Sequence, residues 1–309
     1  MKTKIFSLLL ALFIASSIYC QDVATFLFAE KDGEKLYMDI YQPEKMSSDS
    51  ICVMFIFGGG FISGARNEST HVEYYNMLTE HGYVVAAIDY RLGLKGVTKL
   101  GPLNHKPLEK AISMAVEDVY SATNYLINNS KVLNINPKNI VLCGSSAGAI
   151  TALQADYILA NKLESSEMLP ESFKYGGIIS FSGAILSKQG KVKWREQAPA
   201  PTLMFHGTAD KLVTYKQIKI FRLGFFGADP LSKRFNKYDY PYYVYRFEDN
   251  GHEIAMQMKN KIDETVWFIN NYVVKQKDLQ IDLLINDPDI KKPQYGSHGP
   301  KDLYNKDNK

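Results

Sequence analysis

Apolar residues along this chain fall into short unbroken runs that alternate with longer stretches of helical spacing. "ICVMFIF", "YVVAAIDY", "NIVLCG", "YGGIISFSG", "PTLMFHG" and "YYVYRFE" are each six to nine residues long. Such continuous runs suit strands buried on both faces. Between them, "HVEYYNMLTEHG", "PLEKAISMAVEDVYSATNYLINN" and "AGAITALQADYILA" repeat apolar residues at helical intervals, and "EIAMQMKNKIDETVWFINNYVVK" reads as a closing helix. Before the first buried run, "VATFLFAE" and "KLYMDIYQP" flank the turn signal "KDGE", which predicts an antiparallel hairpin or near neighbour. Strands alternating with helices imply an α/β fold with a mostly parallel central sheet covered on both faces.

Two ends of the chain break this pattern. "MKTK" precedes the apolar run "IFSLLLALFIASSI", which is short for a membrane span. Residues 1–20 are therefore expected to be a secretory signal cut after Cys20, leaving an exported protein, periplasmic or extracellular. A competing reading keeps Cys20 as a lipid-anchored first residue, although Tyr19 is bulky for that role. Residues 21–277 form the expected catalytic domain. Residues 278–309 turn polar and proline-bearing, and are expected to be a tail or a surface strap.

Composition narrows the classes. The 309 residues are 46% hydrophobic and 22% charged, with net charge +3, so one large domain is expected and no nucleic-acid partner. The oligomeric state stays open. Cys52 and Cys143 sit in apolar runs, one near the start of its strand and one near the end, too far apart to bridge. Both are expected to be free and buried.

Chemistry collects where strands end. "GSSAG", Gly144 to Gly148, fits the G-x-S-x-G pattern that sets a serine on a tight strand-to-helix turn. By register the exposed serine is Ser146, with Ser145 at an unconstrained position. A serine needs a base. Of the six histidines, His252 in "EDNGHE" follows the last buried strand in a polar loop, and is assigned as general base and then general acid. His206 ends a strand and is read as structural. Asp210, just past the penultimate strand in "HGTADKLV", is assigned to orient the imidazole. Its competing role is the N-cap of a helix over "KLVTYKQIKIF". Glu248 and Asp249 are rivals that lie very close to His252 in sequence. "FIFGGGF" ends another strand in three glycines, so the N–H groups of Gly59 and Gly60, with that of Ala147, are expected to receive an acyl oxyanion. No histidine or carboxylate group has metal-ligand spacing, and neither metal nor cofactor is expected.

"FGGGFISG", "IDYRL", "GSSAG", "HGTAD" and "NGHE", in this order, resemble the esterase/lipase branch of the α/β-hydrolase superfamily, with a likeness to exported bacterial carboxylesterases of the feruloyl-esterase-like type. The resemblance spans about residues 23–275. It implies an α/β-hydrolase fold without a large cap domain, a serine carboxylesterase mechanism, and a small-molecule or carbohydrate ester as substrate. It also implies a structural pair of Arg91 and Asp118 behind the site. Phe57 stands where the family commonly has a histidine that braces the glycine loop. A serine peptidase of the prolyl-oligopeptidase kind and an inactive binding protein on the same fold are the alternatives. "FRLGFFGADPLSKRFNKYDY" is longer than one connecting helix requires, and Phe225 and Phe226 either fold over the pocket or pack in the core.

Overall fold

The computed structural model describes residues 23–98, 104–286 and 288–290. The expected signal segment 1–20, Cys20 and most of the expected tail lie outside the described residues.

The chain opens as a hairpin. β1 (Val23–Lys31) and β2 (Glu34–Tyr41) pair antiparallel across Asp32 and Gly33, whose φ angles of 52° and 79° make the left-handed turn that Asp-Gly favours. Alternating elements follow: β3 (Cys52–Ile56), α1 (Ser69–Glu80), β4 (Val84–Ile88), α2 (Lys106–Asn128), β5 (Ile140–Ser145), α3 (Ala147–Ala160) and β6 (Gly177–Phe181). The core strands β3, β4, β5 and β6 are buried at every residue, as unbroken apolar runs between two helical layers must be. α1 packs with the closing helical segment on one face, and α2 with α3 on the other.

β7 (Ile185–Ser187), β8 (Thr202–Gly207), β9 (Gln217–Ile220), β10 (Leu223–Phe226), α4 (Ala228–Lys237), β11 (Tyr242–Phe247), α5 (Ile262–Phe268) and β12 (Gln280–Ile285) complete the chain. Nine strands form one sheet in the order β1-β2-β4-β3-β5-β6-β8-β11-β12, antiparallel only at β1–β2 and β2–β4. The order reverses between β3 and β5, which lie side by side with Ile56 opposite Gly144. Ligands of open α/β sheets bind at such a reversal, beyond the carboxyl ends of the strands. The glycine loop after β3 and the serine turn after β5 both emerge there.

Three expectations need correction. Residues 278–309 are not all tail: Gln280–Ile285 is an edge strand parallel to β11. Its side chains alternate exposed and half-buried, a period too short to stand out in a polar stretch. No helix follows Asp210. Lys211–Phe221 instead leads into β9, and β9, β10 and β7 make a small antiparallel sheet. This accounts for the extra length before α4. Phe226 is buried in it, Phe225 is half-buried, and Phe221 at the hairpin tip is 91% exposed. The closing helix is broken as well, into 3-10 turns at His252–Met256 and Lys259–Lys261, α5, and a π-helical turn over Ile269–Val274.

Cys52 and Cys143 are free and buried on the neighbouring strands β3 and β5, where Cys143 stands opposite Phe55. Burial pushes both thiols up to about 12. Arg91 and Asp118 pair at 2.9–3.0 Å in the interior, tying the segment after β4 to α2.

Candidate active site

The serine turn is shaped by what its glycines exclude. A Cβ on Gly144 would sit 2.4 Å from the carbonyl of Gly148, and one on Gly148 would sit 2.0 Å from the Ile56 oxygen. Neither position tolerates a side chain, because strand, helix and neighbouring strand meet there. Between them Ser146 holds φ 53° and ψ −116°, a conformation that L residues avoid and that persists only when its surroundings impose it. Its N–H donates to Phe181 O at 2.9 Å, and its carbonyl accepts from Ile150. In the run Ile140–Ile150 every residue but Ser146 is buried. Ser146 is the serine that the turn presents.

The three side chains assigned from separate strand ends meet. Ser146 Oγ lies 2.8 Å from His252 Nε2, and His252 Nδ1 lies 2.8 Å from Asp210 Oδ2. Asp210 follows β8 and His252 follows β11, which run parallel and in register (His206 opposite Arg246), so both loops leave the same sheet edge. Both ring nitrogens of His252 are engaged by Asp210 and Ser146, and not by the rivals Glu248 and Asp249. The N-cap alternative for Asp210 contains part of the answer: its Oδ1 accepts from Leu212 N–H and Val213 N–H at 2.9 and 3.0 Å, closing a turn without a helix. One carboxylate oxygen thus anchors the loop and the other faces imidazoles.

His206 is structural, but not remote. It is buried, with Nε2 2.9 Å from Val213 O and 3.4 Å from Asp210 Oδ2. Burial pushes the Asp210 carboxyl up. Hydrogen bonds from His206 and His252 outweigh it and hold the group down at about 2. Asp210 is a carboxylate at every ordinary pH.

The glycine loop stands beside the serine. A Cβ on Gly58 would come within 3.4 Å of Ser146 Cβ. Gly59 and Gly60 have φ of 102° and 64°, and Gly59 O accepts from Ile62 and Ser63 in a tight reversal. Ala147, next to Ser146, opens α3 and is buried. Among the described residues no group of three or more His, Cys, Asp or Glu could hold a metal ion.

This geometry has counterparts. A family model described as BD-FAE matches residues 38–186, which include the glycine loop and the serine turn. The chain is 32% identical over 123 residues to fumonisin B1 esterase of Sphingopyxis macrogoltabida, and 29% identical over 138 residues to lipase 2 of a Moraxella species. Those matches take in 37% and 42% of this chain but 21% and 28% of the relatives, so the chain spans under a third of their length. Esterase 2 of Thermogutta terrifontis, solved after phosphorylation by paraoxon, superposes with a TM-score of 0.58 over 84% of this chain and 96% of its own, at 18% identity. Its propionate-bound form gives 0.59 over 85% and 97%, at 20% identity. The chain has the α/β-hydrolase fold, and its glycine loop and serine turn fall in the stretch that resembles this family model.

Around this site several polar ties escaped the sequence reading. Ser145 is not unconstrained: it is buried, and its hydroxyl donates to Ala255 O at 2.8 Å, fastening the serine turn to the 3-10 turn that begins with His252. Glu253 Oε1 accepts from Gly251 N–H at 2.8 Å and from Asn250 Nδ2 at 3.0 Å, stiffening the same loop. Phe57 and the loop it opens are braced from the segment after β4. Tyr90 stacks on Phe57 with ring centroids 4.5 Å apart, and its hydroxyl lies 3.0 Å from Phe57 O and 3.2 Å from Gly58 O. In a trans peptide the N–H points opposite to the C=O. Holding those two carbonyls therefore aims the N–H groups of Gly58 and Gly59 away from Tyr90. "IDYRL" carried the signal: a tyrosine at a buried strand's carboxyl end, in a sheet where that edge bears the site.

Proposed function

We propose that this hydrolase cleaves carboxylic esters through an acyl-enzyme on Ser146. The observation that carries the reading is the continuous hydrogen-bonded chain from Ser146 Oγ through His252 to Asp210, with both links at 2.8 Å. As Ser146 Oγ attacks the ester carbon, its proton passes to His252 Nε2. Asp210 accepts from Nδ1–H, holds the tautomer that leaves Nε2 free, and stabilises the imidazolium. The carbonyl oxygen gains charge and is met by the N–H groups of Gly59, Gly60 and Ala147, dipoles already fixed before the reaction. The tetrahedral adduct expels the alcohol, which takes the proton from His252. Water then attacks the acyl-enzyme with His252 as base, releasing the carboxylic acid and restoring Ser146.

The relatives that act on esters, and a structural neighbour phosphorylated by an organophosphate, support this chemistry. For the substrate we propose short or aromatic acyl esters on plant carbohydrates, met by an exported enzyme. The test is hydrolysis of a nitrophenyl acetate by wild type and by Ser146→Ala. Turnover should fall at least about a thousandfold in the variant, with an unchanged circular dichroism spectrum. Equal turnover in the two proteins would overturn the reading.

A further inference from the structure

A strongly basic surface is built on the segment that follows Asp210 in the chain. A groove of about 490 Å³ runs between the loop after β7, the β9–β10 hairpin and α4. Lys191, Lys216, Lys219, Lys233, Arg234 and Lys237 line it, against a single carboxylate, Asp229. The whole chain carries only +3, so positive charge is concentrated here. Asp229 is already engaged: it meets Lys233 at 2.8 Å and Arg246 at 3.2 Å. Among the described residues, Lys191, Lys216, Lys219 and Arg234 have no carboxylate partner. Lys233 and Lys237 stand one helical turn apart, a like-charge spacing that weakens an isolated helix by a few tenths of a kcal/mol. Arg234 and Lys237 lie in the last turn of α4, where cations are favoured, and over the Tyr238 ring, whereas Lys191, Lys216 and Lys219 lie outside the helix.

The walls are framed by backbone bonds. Gly190 N–H donates to Arg222 O at 2.6 Å, which ties the loop after β7 to the hairpin. Gly227 N–H donates to Lys216 O at 2.8 Å, and Asp229 N–H to Tyr215 O at 3.1 Å, which tie the start of α4 to the approach of β9. The groove also grows out of the catalytic loops. Lys216 is six residues beyond Asp210, so even a fully extended chain separates them by no more than about 20 Å. That bound is the length of a few linked sugars, so Lys216 and Asp210 lie within the span of one oligomeric ligand.

We propose that this groove binds the carboxylate-bearing backbone of an acidic polysaccharide, whose esters the Ser146 site cleaves. The proposal rests on the esterase reading for its second half only. The chemistry favours this class. The cations are lysine ammonium groups strung along an open rim, point charges on flexible stems that suit spaced single carboxylates. Among the groove's residues there is no cluster of guanidinium forks of the kind that selects a compact phosphate. Single-stranded nucleic acid needs exposed aromatic faces for its bases, and the groove's one aromatic residue, Phe226, is 3% exposed.

The experiment compares wild type with Lys216→Glu/Lys219→Glu, two exposed positions. Retardation in gels containing polygalacturonate, a neutral xylan or single-stranded DNA measures binding, and a nitrophenyl acetate assay runs in parallel. Wild type should bind polygalacturonate, more weakly as salt is raised, and should ignore the neutral polymer. The double variant should lose at least about tenfold in that affinity, since two attractions become repulsions, while nitrophenyl ester turnover stays within about twofold of wild type. Lys191→Glu/Lys237→Glu, across the groove, should repeat the loss. Absence of polygalacturonate binding by an active wild type overturns the groove proposal and leaves the esterase reading intact. So does undiminished binding by both variants, or tighter binding of the DNA. Retardation by polygalacturonate without any ester turnover would instead strike at the esterase reading alone.

Discussion

Asp210 and Asp156 are both buried carboxylates, and they end in opposite states. Asp156 lies on α3 well away from the serine turn, and among the described residues its oxygens accept only the Ala200 N–H, at 3.2–3.3 Å. Burial dominates there and pushes its carboxyl up to about 7, with Ala200 and the charge of Lys174 opposing weakly. Asp210 suffers burial too, but two backbone N–H groups and two imidazoles converge on it. Burial alone neutralises a carboxyl; partners drawn from separate elements keep it charged. Asp210 gathers four such partners, whereas Asp156, though its helix is tied to neighbouring elements, receives one N–H.

The two carboxylates predict opposite pH dependences of stability. Asp210 has its folded-state value below the unfolded value of about 3.9, so its contribution is present above about pH 4 and is lost as pH falls towards about 2. Asp156 has its value above, so the folded state holds a proton that the unfolded state has released. Its contribution therefore falls as pH rises from about 4 to about 7, then levels off.

Substitutions sharpen the contrast. Asp210→Asn should cost on the order of a thousandfold in kcat, because an amide cannot hold His252 in the tautomer that accepts the serine proton. Steady-state kinetics on a nitrophenyl ester reads this, and full activity would point to Glu248 or Asp249. Tyr90→Phe keeps the stack on Phe57 and deletes the hydroxyl that holds the two loop carbonyls. A fall in kcat of roughly tenfold with KM nearly unchanged is expected, less than the loss of an oxyanion donor itself. Equal kinetics in Tyr90→Phe would show that the loop holds its shape unaided. Ser145→Ala frees the tie to Ala255 and should cost about fivefold in kcat, a hydrogen bond's typical net worth. Asp156→Asn should leave kcat within twofold. Its signature is thermal: the wild type should lose about 5 °C in Tm between pH 5 and pH 8 from this group, and the variant should not. A pH-independent difference in Tm would mean that Asp156 is ionised throughout.

The Ser146–His252–Asp210 chain was legible because each member follows an unbroken apolar run. Ser146, Asp210 and His252 stand just past β5, β8 and β11, and the parallel sheet brings those ends to one edge. The ties between them were not legible. Ser145 bonds a residue 110 positions away and Tyr90 a loop 32 or 33 positions back, pairings that only the folded sheet creates. β9, β10 and β12 failed for another reason. β9 and β12 carry polar residues at exposed positions (Gln217 and Lys219; Gln280 and Asp282), and in all three strands four to six residues are too few for a period of two to separate from a helical one. The break in the closing helix at Ile269–Val274 has no local breaker to announce it, since neither glycine nor proline occurs there.

The central claim is that Ser146 is the group that attacks. The most direct measurement is labelling of the folded protein with a fluorophosphonate, followed by mass-spectrometric mapping of the adduct. A single adduct on Ser146, slowed by a competing ester and absent in His252→Ala, is the predicted result. An adduct on Ser145, or none on a folded protein that hydrolyses esters, would contradict it.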